Sequence, residues 1–536
     1  MNLSRRFPAT AAFVIALLLS ASCGQPVAVG DLLSVQVQES VLVFPEKGSV
    51  RLPFVVDEPG YVFDLQEDVV LYPATGNSPH TSQCVLSRVE RDTVAGRYVA
   101  VLTDSGVSRD YSVDVLLGIR SGDGSILFSE PFQCRGECYV TRGVYVDTGL
   151  PVLYVNTEDG RAVTSKEDYL KAEMFLLGAD GKPAASAADC SIRGRGNTTW
   201  EWPKKPYLLK LDKKASLLGM PAHKRWVLLA NFMDRTLMRN LVAMRVSSMT
   251  SLAWTPRCRS VELVLNGRPQ GTYLLIEQVR VDENRVAVEE MSSATDSSLS
   301  LTGGYLLELD FHYDNEVQWM DPHGRCVQLS GGIPFGVKYP DPDDITSAQR
   351  NYIRQFVSEA AAVLYGADFC NPATGYAKYL DVDSFIDYWI VFEVMGNHEL
   401  GNPGSVYFHK DRGGKLVAGP CWDFDWGVLS YRVSPQARYA LLNADAIWYA
   451  RLFQDPDFRE RLRRRYRELL PGLYTIPAFI DETEAQLAAS AARNFRMWNP
   501  AQDGMINGDE NLSFHDAVVR LKTIYLERLN VVSAQL

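Results

Sequence analysis

Histidine is scarce in this chain, with seven among 536 residues, and none stands in the H-E-x-x-H spacing of a zinc hydrolase. His398-Glu399 is followed by Leu400, Gly401 and Asn402, which breaks that pattern. No serine is framed as G-x-S-x-G, which excludes the usual esterase nucleophile. Positive charge is in deficit as well: 54 Lys and Arg against 65 Asp and Glu leave a formal net charge of −11. Such a balance argues against a general binder of nucleic acid or of anionic membranes. Internal repeats and low-complexity tracts are missing, which excludes solenoids and propellers. After the N-terminus no apolar run reaches about 18 residues, the length needed to span a membrane.

What is present begins with a leader. Arg5 and Arg6 precede the apolar run Ala11 to Leu19, and Ser20, Ala21 and Ser22 then lead into Cys23. This reads as a secretory signal over residues 1–23, and LSASC resembles a bacterial lipobox despite Ser20 at the position three before the cysteine. The expectation is an exported protein of the cell envelope, lipid-anchored through Cys23 to the outer membrane or cell surface and touching the membrane only there. Eight further cysteines, at 84, 134, 138, 190, 258, 326, 370 and 421, permit disulfides without dictating a pairing. Cys134 and Cys138 read as a local bridge or as thiols, since no second pair completes zinc-site spacing.

Residues 24–145 alternate in short runs such as SVQVQESVLVF and YSVDVLLGI, separated by Gly, Pro, Asp and Ser, as in an Ig-like β-sandwich. Its expected part is that of a spacer, with glycan binding as the other reading. Residues 146–431 mix strands and helices. Hairpins are expected around Asn266-Gly267 and around Arg412-Gly413-Gly414. Helices are expected from Asp234 to Met244 and from Val382 to Met395. Residues 432–536 read as helical: Asp455-Pro456-Asp457 caps FRERLRRRYRELL, Pro471-Gly472 breaks it, and periodic segments follow at Pro477 to Met497 and Phe514 to Ser533.

Three stretches can carry chemistry. In SIRGRGNTTW, Gly194 and Gly196 free the backbone to approach a ligand, while Arg193 and Arg195 supply fixed positive charge. In PYLLKLDKK, Lys210 stands between Leu209 and Leu211 on an expected buried strand, where a cation needs an anionic partner. In GPCWDFDWGVL, Asp423 and Asp425 alternate with Phe424, which on a strand puts both carboxylates on one face and raises their pKa by mutual repulsion. The order from Asn397 onward is polar loop, strand, tight turn, strand, Asp423, the order in which protein kinases bring a catalytic loop to a metal-binding aspartate. There Asp423 would hold Mg²⁺ and Glu399 would face the acceptor hydroxyl. A glycosidase pairing Asp423 with Glu399 or Glu393 is a third reading, which requires roughly 5 to 9.5 Å between carboxyl groups.

Together GRGNTTW, PKKPYLLKLDKK, LLGMPAHKRWVLLANFMDRTLMRN, NGRPQGTYLLIEQV, GGYLLELD and GPCWDFDW resemble the spore-coat protein H (CotH) kinase-like family. The resemblance implies an α+β chain: an atypical protein-kinase-like two-lobed domain, preceded by the N-terminal β-sandwich and followed by the helical C-terminal portion. It also implies ATP and Mg²⁺ or Mn²⁺ as cofactors and a secreted or surface protein as phosphoryl acceptor. By position, Arg193, Gly194, Arg195, Gly196 and Asn197 would lie near the phosphates, Lys210 would match the strand lysine, Glu277 would sit beside the adenine, and Asp423 would bind metal, with Asp425 and Ser405 as further ligands. Departures accompany these matches. Glu399 replaces the expected Asp, Ser405 stands near an expected Asn, and Ala215 to Val261 contains no glutamate to pair with Lys210, leaving Asp234 as the acidic substitute. The alternative is a non-catalytic surface module, a pseudokinase that binds glycan or matrix protein, consistent with scarce ATP outside the cytoplasm.

Overall fold

The computed structural model describes residues 148–536 apart from 181–182, 293–296, 312–317, 327–331 and 499–506. Before residue 148 it describes the nine strands between Val35 and Gly136 with a few adjoining residues. The leader, Cys23 and Cys138 lie outside the described residues.

The N-terminal strands form two sheets, one of four strands and one of five. Leu52, Phe54 and Leu102 from one sheet and Val115, Leu117 and Phe132 from the other share a single hydrophobic cluster. The alternating pattern is physical here, because each strand turns one face to that cluster.

A closed barrel of seven strands follows: β1 (Val152–Thr157), β2 (Leu170–Leu177), β3 (Pro183–Gly194), β4 (Tyr207–Leu217), β5 (Met220–Leu229), β6 (Cys258–Leu265) and β7 (Arg268–Glu277). Its order is β1-β2-β3-β4-β5-β7-β6, and the parallel pairing of β1 with β6 closes it. Ile192, Leu209, Leu211, Trp226, Leu228 and Leu275 fill the interior. The alternate residues Leu208, Val227, Leu229, Leu274 and Ile276 pack on the rest of the chain. With both faces covered, these strands read as continuous apolar runs. The hairpin between β6 and β7 turns at Asn266 (φ 51°) and Gly267 (φ 71°), left-handed at both positions as a type I′ turn requires.

The second body is built on a five-stranded sheet of β8 (Tyr305–Leu309), β9 (Gln318–Asp321), β10 (Ile333–Tyr339), β11 (Val406–Lys410) and β12 (Leu416–Ala418), in the order β9-β10-β8-β11-β12. Six longer helices accompany it: α1 (Arg239–Ser247), α2 (Ser347–Tyr365), α3 (Val382–Val394), α4 (Pro456–Leu473), α5 (Ile476–Met497) and α6 (Phe514–Gln535). Helix α3 is capped by Asp381, whose carboxylate accepts from Ser384 N at 2.9 Å, and is buried on every side, so it is the central helix of this core.

Two expected boundaries move. The helix expected from Asp234 starts at Arg239, because the Asp234 carboxylate closes a turn by accepting from Thr236 N at 2.9 Å and from Arg239 N at 2.8 Å. Helix α4 runs through Pro471 to Leu473 instead of breaking there. Cys190, Cys258, Cys326, Cys370 and Cys421 are free thiols.

Candidate active site

Between the barrel and the second body lies a cleft of about 640 Å³. The barrel contributes Arg193 to Asn197, Leu208, Val227 and Leu229, and the second body contributes Glu308, Asp310, Lys338, Glu399, Ser405, Tyr407, Asp423 and Asp425. Gln278 and Val279 line the connection between the two.

The glycine turn is fixed by close packing. A Cβ at Gly194 would stand 2.3 Å from the Trp200 ring, and Gly196 has φ +87°. Gly194 N already donates to Ser165 O at 2.8 Å and Arg195 N to Pro206 O at 3.2 Å, so these two N–H groups are engaged within the fold. The Arg195 guanidinium lies 5.7 Å from the Trp422 ring centre, and its field favours the ionised forms of Asp423 and Asp425.

Asp423 and Asp425 do not stand on a strand. They belong to a loop after β12 in which Asp423 takes the left-handed conformation (φ 64°), as does Ser405 (φ 58°) in the same wall of the cleft. Such strain persists only where the surroundings impose it. Here Phe424 N donates to Asn240 Oδ1 at 2.8 Å, and Phe424 packs on Phe392 at 4.8 Å. Gly427 N donates to Asn507 Oδ1 at 2.9 Å, while Asn507 Nδ2 donates to Asp425 O at 3.0 Å and to Met233 O at 3.2 Å. Buried Arg239 donates to Val428 O at 2.9 Å and pairs with Asp234 and, at 2.8 Å, with Asp509. Asp234 is thereby committed to Arg239 and is no partner for Lys210.

The two carboxyl groups lie close enough to act on each other's ionisation. Burial, then the neighbouring Asp423, pushes Asp425 up to about 8, and burial likewise raises Asp423. Without a cation the pair therefore retains a proton near neutrality. Half-buried Glu399 is raised well above the carboxylate range by burial, then by Asp423, Asp425 and Asp310. Its backbone N–H donates to Asn397 Oδ1 at 2.9 Å, and its Oε2 has no hydrogen-bond partner among the described residues.

These residues fit a divalent cation held jointly with a phosphate ligand. Mg²⁺ is commonly bound by one or two carboxylates together with water and substrate phosphates. Among the described residues no three His, Cys, Asp or Glu side chains form a ready cage. The adjacent carboxylates and the orphaned Glu399 oxygen are donors that such an ion would complete.

Two expected residues lie elsewhere. Lys210 does not line the cleft. Its sequence neighbours Leu209 and Leu211 point into the barrel, and Lys210 stands on the opposite face, 5.9 Å from the Tyr169 ring centre. Glu277 is also absent from the lining, although Gln278 and Val279 beside it are present. It is fully buried and accepts from Arg257 N and Nε, both at 2.9 Å. Glu393 is locked by Arg528 and by Leu442 N and Asn443, which removes it from acid–base chemistry.

Sequence reasoning missed Glu308, Asp310, Lys338 and Tyr407. Lys338 pairs with Glu308 at 2.8 Å, and Tyr407 OH donates to the same carboxylate at 2.5 Å. The signal for Glu308 and Asp310 was the alternation in GGYLLELD, which puts both on one face. Lys204, also in the lining, donates to Ala230 O at 2.8 Å, to Asn494 Oδ1 at 2.9 Å and to Thr272 O, which occupies all three of its ammonium hydrogens.

No curated protein is similar enough to serve as a relative. Among solved structures, the fibronectin(III)-like modules of Clostridium thermocellum CbhA are 12% identical over 36% of this chain and 90% of theirs, with a TM-score of 0.14. The family model described as CotH kinase protein matches residues 192–532, more than half of the 536 residues, and spans both walls of the cleft. The chain belongs to the CotH kinase family.

Proposed function

We propose that this protein is an atypical kinase with two lobes, the barrel and the second body, which transfers the terminal phosphoryl group of ATP to a hydroxyl of a secreted or surface protein. The observation that carries this reading is the buried carboxyl pair Asp423 and Asp425, which lines one cleft with the Arg193 to Asn197 turn. Asp423 and Asp425 would hold Mg²⁺ or Mn²⁺, with Ser405 near by. When bound, the ion neutralises charge on the phosphates. Arg195, beside Trp422, supplies fixed positive charge at the same place.

Glu399, which lines the cleft with an unpartnered oxygen, would serve as the base. The acceptor oxygen forms its bond to the terminal phosphorus as the bond to the bridging oxygen breaks, with that electron pair leaving on ADP. The hydroxyl proton passes to a Glu399 carboxylate oxygen, a step aided by the raised proton affinity of Glu399. A leader ending at Cys23 puts the reaction in the cell envelope, with the protein anchored there by lipid.

A second reading, nucleotide binding without transfer, is favoured by the departures at Glu399 and Ser405. Labelled ATP with Mg²⁺ or Mn²⁺, read for label transfer and for thermal stabilisation by nucleotide, separates the two. Transfer that disappears in Asp423→Asn supports the kinase. Asp423-dependent stabilisation without transfer establishes the pseudokinase, and the absence of both refutes the site.

A further inference from the structure

Three cations surround one phenol ring beside the cleft. The Arg193 guanidinium lies 4.9 Å, the Arg225 guanidinium 5.6 Å and the Lys210 ammonium 5.9 Å from the Tyr169 ring centre. Arg225 also donates to Tyr169 OH at 2.6 Å. Arg280 lies within electrostatic range of Arg225 and Tyr169. Lys210 and Arg225 are direct cross-strand partners between β4 and β5, an arrangement in which like charges repel.

The charge is opposed only in part within the protein: Arg193 reaches the highly exposed Glu167 at 3.8 Å, Asp341 acts on Arg280, and Asp212 stands two residues from Lys210 on the same face of β4. Among the described residues no carboxylate comes within ion-pair distance of Lys210, Arg225 or Arg280. A chain with net charge −11 thus keeps a concentrated, half-buried patch of positive charge against its own repulsion. Where like charges are held together without a partner in the fold, a partner from outside supplies the compensation.

The position of the patch indicates which partner. Leu208 lines the cleft, and Lys210 lies two residues farther along the same face of β4, about 7 Å away at the rise of a strand. Arg193 belongs to both the patch and the lining. Lys210, Arg225 and Arg280 stand outside the lining, so the patch extends beyond the space a nucleotide fills. Spread over three neighbouring strands, it can engage several carboxylates of an extended chain whose next residues enter the cleft.

We propose that Lys210, Arg225 and Arg280, grouped with Arg193 around Tyr169, form a docking site for an acidic segment of the polypeptide acceptor. This rests on the kinase reading only in taking the cleft to act on a polypeptide. The test uses the full chain without nucleotide and a fluorescent peptide of eight glutamates around one serine, with a glutamine peptide as control and inorganic phosphate as competitor. The acidic peptide binds and the glutamine peptide does not, and Lys210→Gln and Arg225→Gln each weaken binding by about three- to fivefold, the size of one partly exposed charge contact. Added salt weakens it further.

Nucleotide-dependent thermal stabilisation, which fails in Asp423→Asn if the catalytic reading holds, stays unchanged in both variants. Lys210→Gln, which breaks no hydrogen bond of the fold, also leaves the melting temperature at low salt equal or higher, since it removes repulsion. Failure of the wild type to bind the acidic peptide overturns the proposal, as does equal binding of the glutamine peptide. Phosphate displacing the peptide while the variants lose nucleotide stabilisation overturns it too, because the cations then serve the nucleotide. A lowered melting temperature in Lys210→Gln contradicts the repulsion on which the site is argued.

Discussion

Replacing Asp425 by Asn tests the electrostatics of the cleft directly. In the folded protein Asp423 and Asp425 are buried beside each other, and both have raised pKa values, Asp425 up to about 8. The unfolded chain ionises both near the ordinary value of about 4. Between those limits the folded state binds more protons than the unfolded one, so stability falls as pH rises through the window from about 4 to about 8. Two carboxylates about 4 Å apart at an effective dielectric of about 20 repel by about 4 kcal/mol, an upper figure for the cost at pH 8. Asp425→Asn removes one charge and leaves an amide N–H to serve the remaining carboxylate.

In chelator at pH 8 the variant should therefore melt several degrees above the wild type, at roughly 2 °C per kcal/mol or somewhat less for a chain this long. At pH 5, where the wild-type pair keeps its proton, the two should differ little. Mg²⁺ with ADP should reverse the order. At about one hundred times its dissociation constant the ligand stabilises the wild type by about 2.7 kcal/mol, and the variant should gain little. Thermal scans at both pH values, with and without ligand, measure all of this. Parallel pH slopes for the two proteins, or equal stabilisation by ligand, would refute the pairing.

Four further substitutions, at three positions, have defined outcomes. Glu399→Gln should cut phosphoryl transfer by about 10² to 10⁴ with nucleotide-dependent stabilisation intact, whereas Glu399→Asp, displaced by about 1 Å, should lose about 10²-fold; single-turnover assays separate them. Arg239→Met leaves buried Asp234 and Asp509 without their cation and should cost about 3 to 5 kcal/mol in chemical denaturation; a loss under 1 kcal/mol would refute that role. Gly194→Ala puts a methyl 2.3 Å from the Trp200 ring and should cost about 1 to 3 kcal/mol, read as a lower melting temperature together with weakened nucleotide binding.

Local order was legible in the sequence, and long-range placement was not. Asn266-Gly267 fixed one hairpin and Asp381 the start of α3, because turn and cap chemistry acts within a few residues. The Arg193 to Asn197 turn, Glu399, Ser405 and the two aspartates do meet in one cleft. Lys210 was misjudged because its sequence neighbours were taken for its surroundings, whereas Leu209 and Leu211 point into the barrel on the other face. Glu277 was misplaced by one or two residues, and at the end of a strand that is enough to exchange the cleft for the interior. The strand reading of Asp423 and Asp425 gave the right adjacency for the wrong reason. A loop with a left-handed Asp423 brings the carboxylates together, and period-two alternation does not.

What holds Asp423 in its strained conformation comes from residues that no local pattern connects to it. Asn240 precedes Phe424 by 184 positions, and Asn507 follows Gly427 by 80. Arg239 ties Val428 to Asp509, 270 positions from itself. Each of these side chains is buried and saturates backbone groups of the loop that would otherwise be left unpaired, so relaxation of Asp423 would cost several hydrogen bonds in exchange for a strain of about 1 to 3 kcal/mol. The segment at 507–509 therefore does more than lead into α6, since it is part of the structure that aims the two aspartates. That dependence gives a structural reason for the family match to continue to residue 532, well beyond the last residue that lines the cleft.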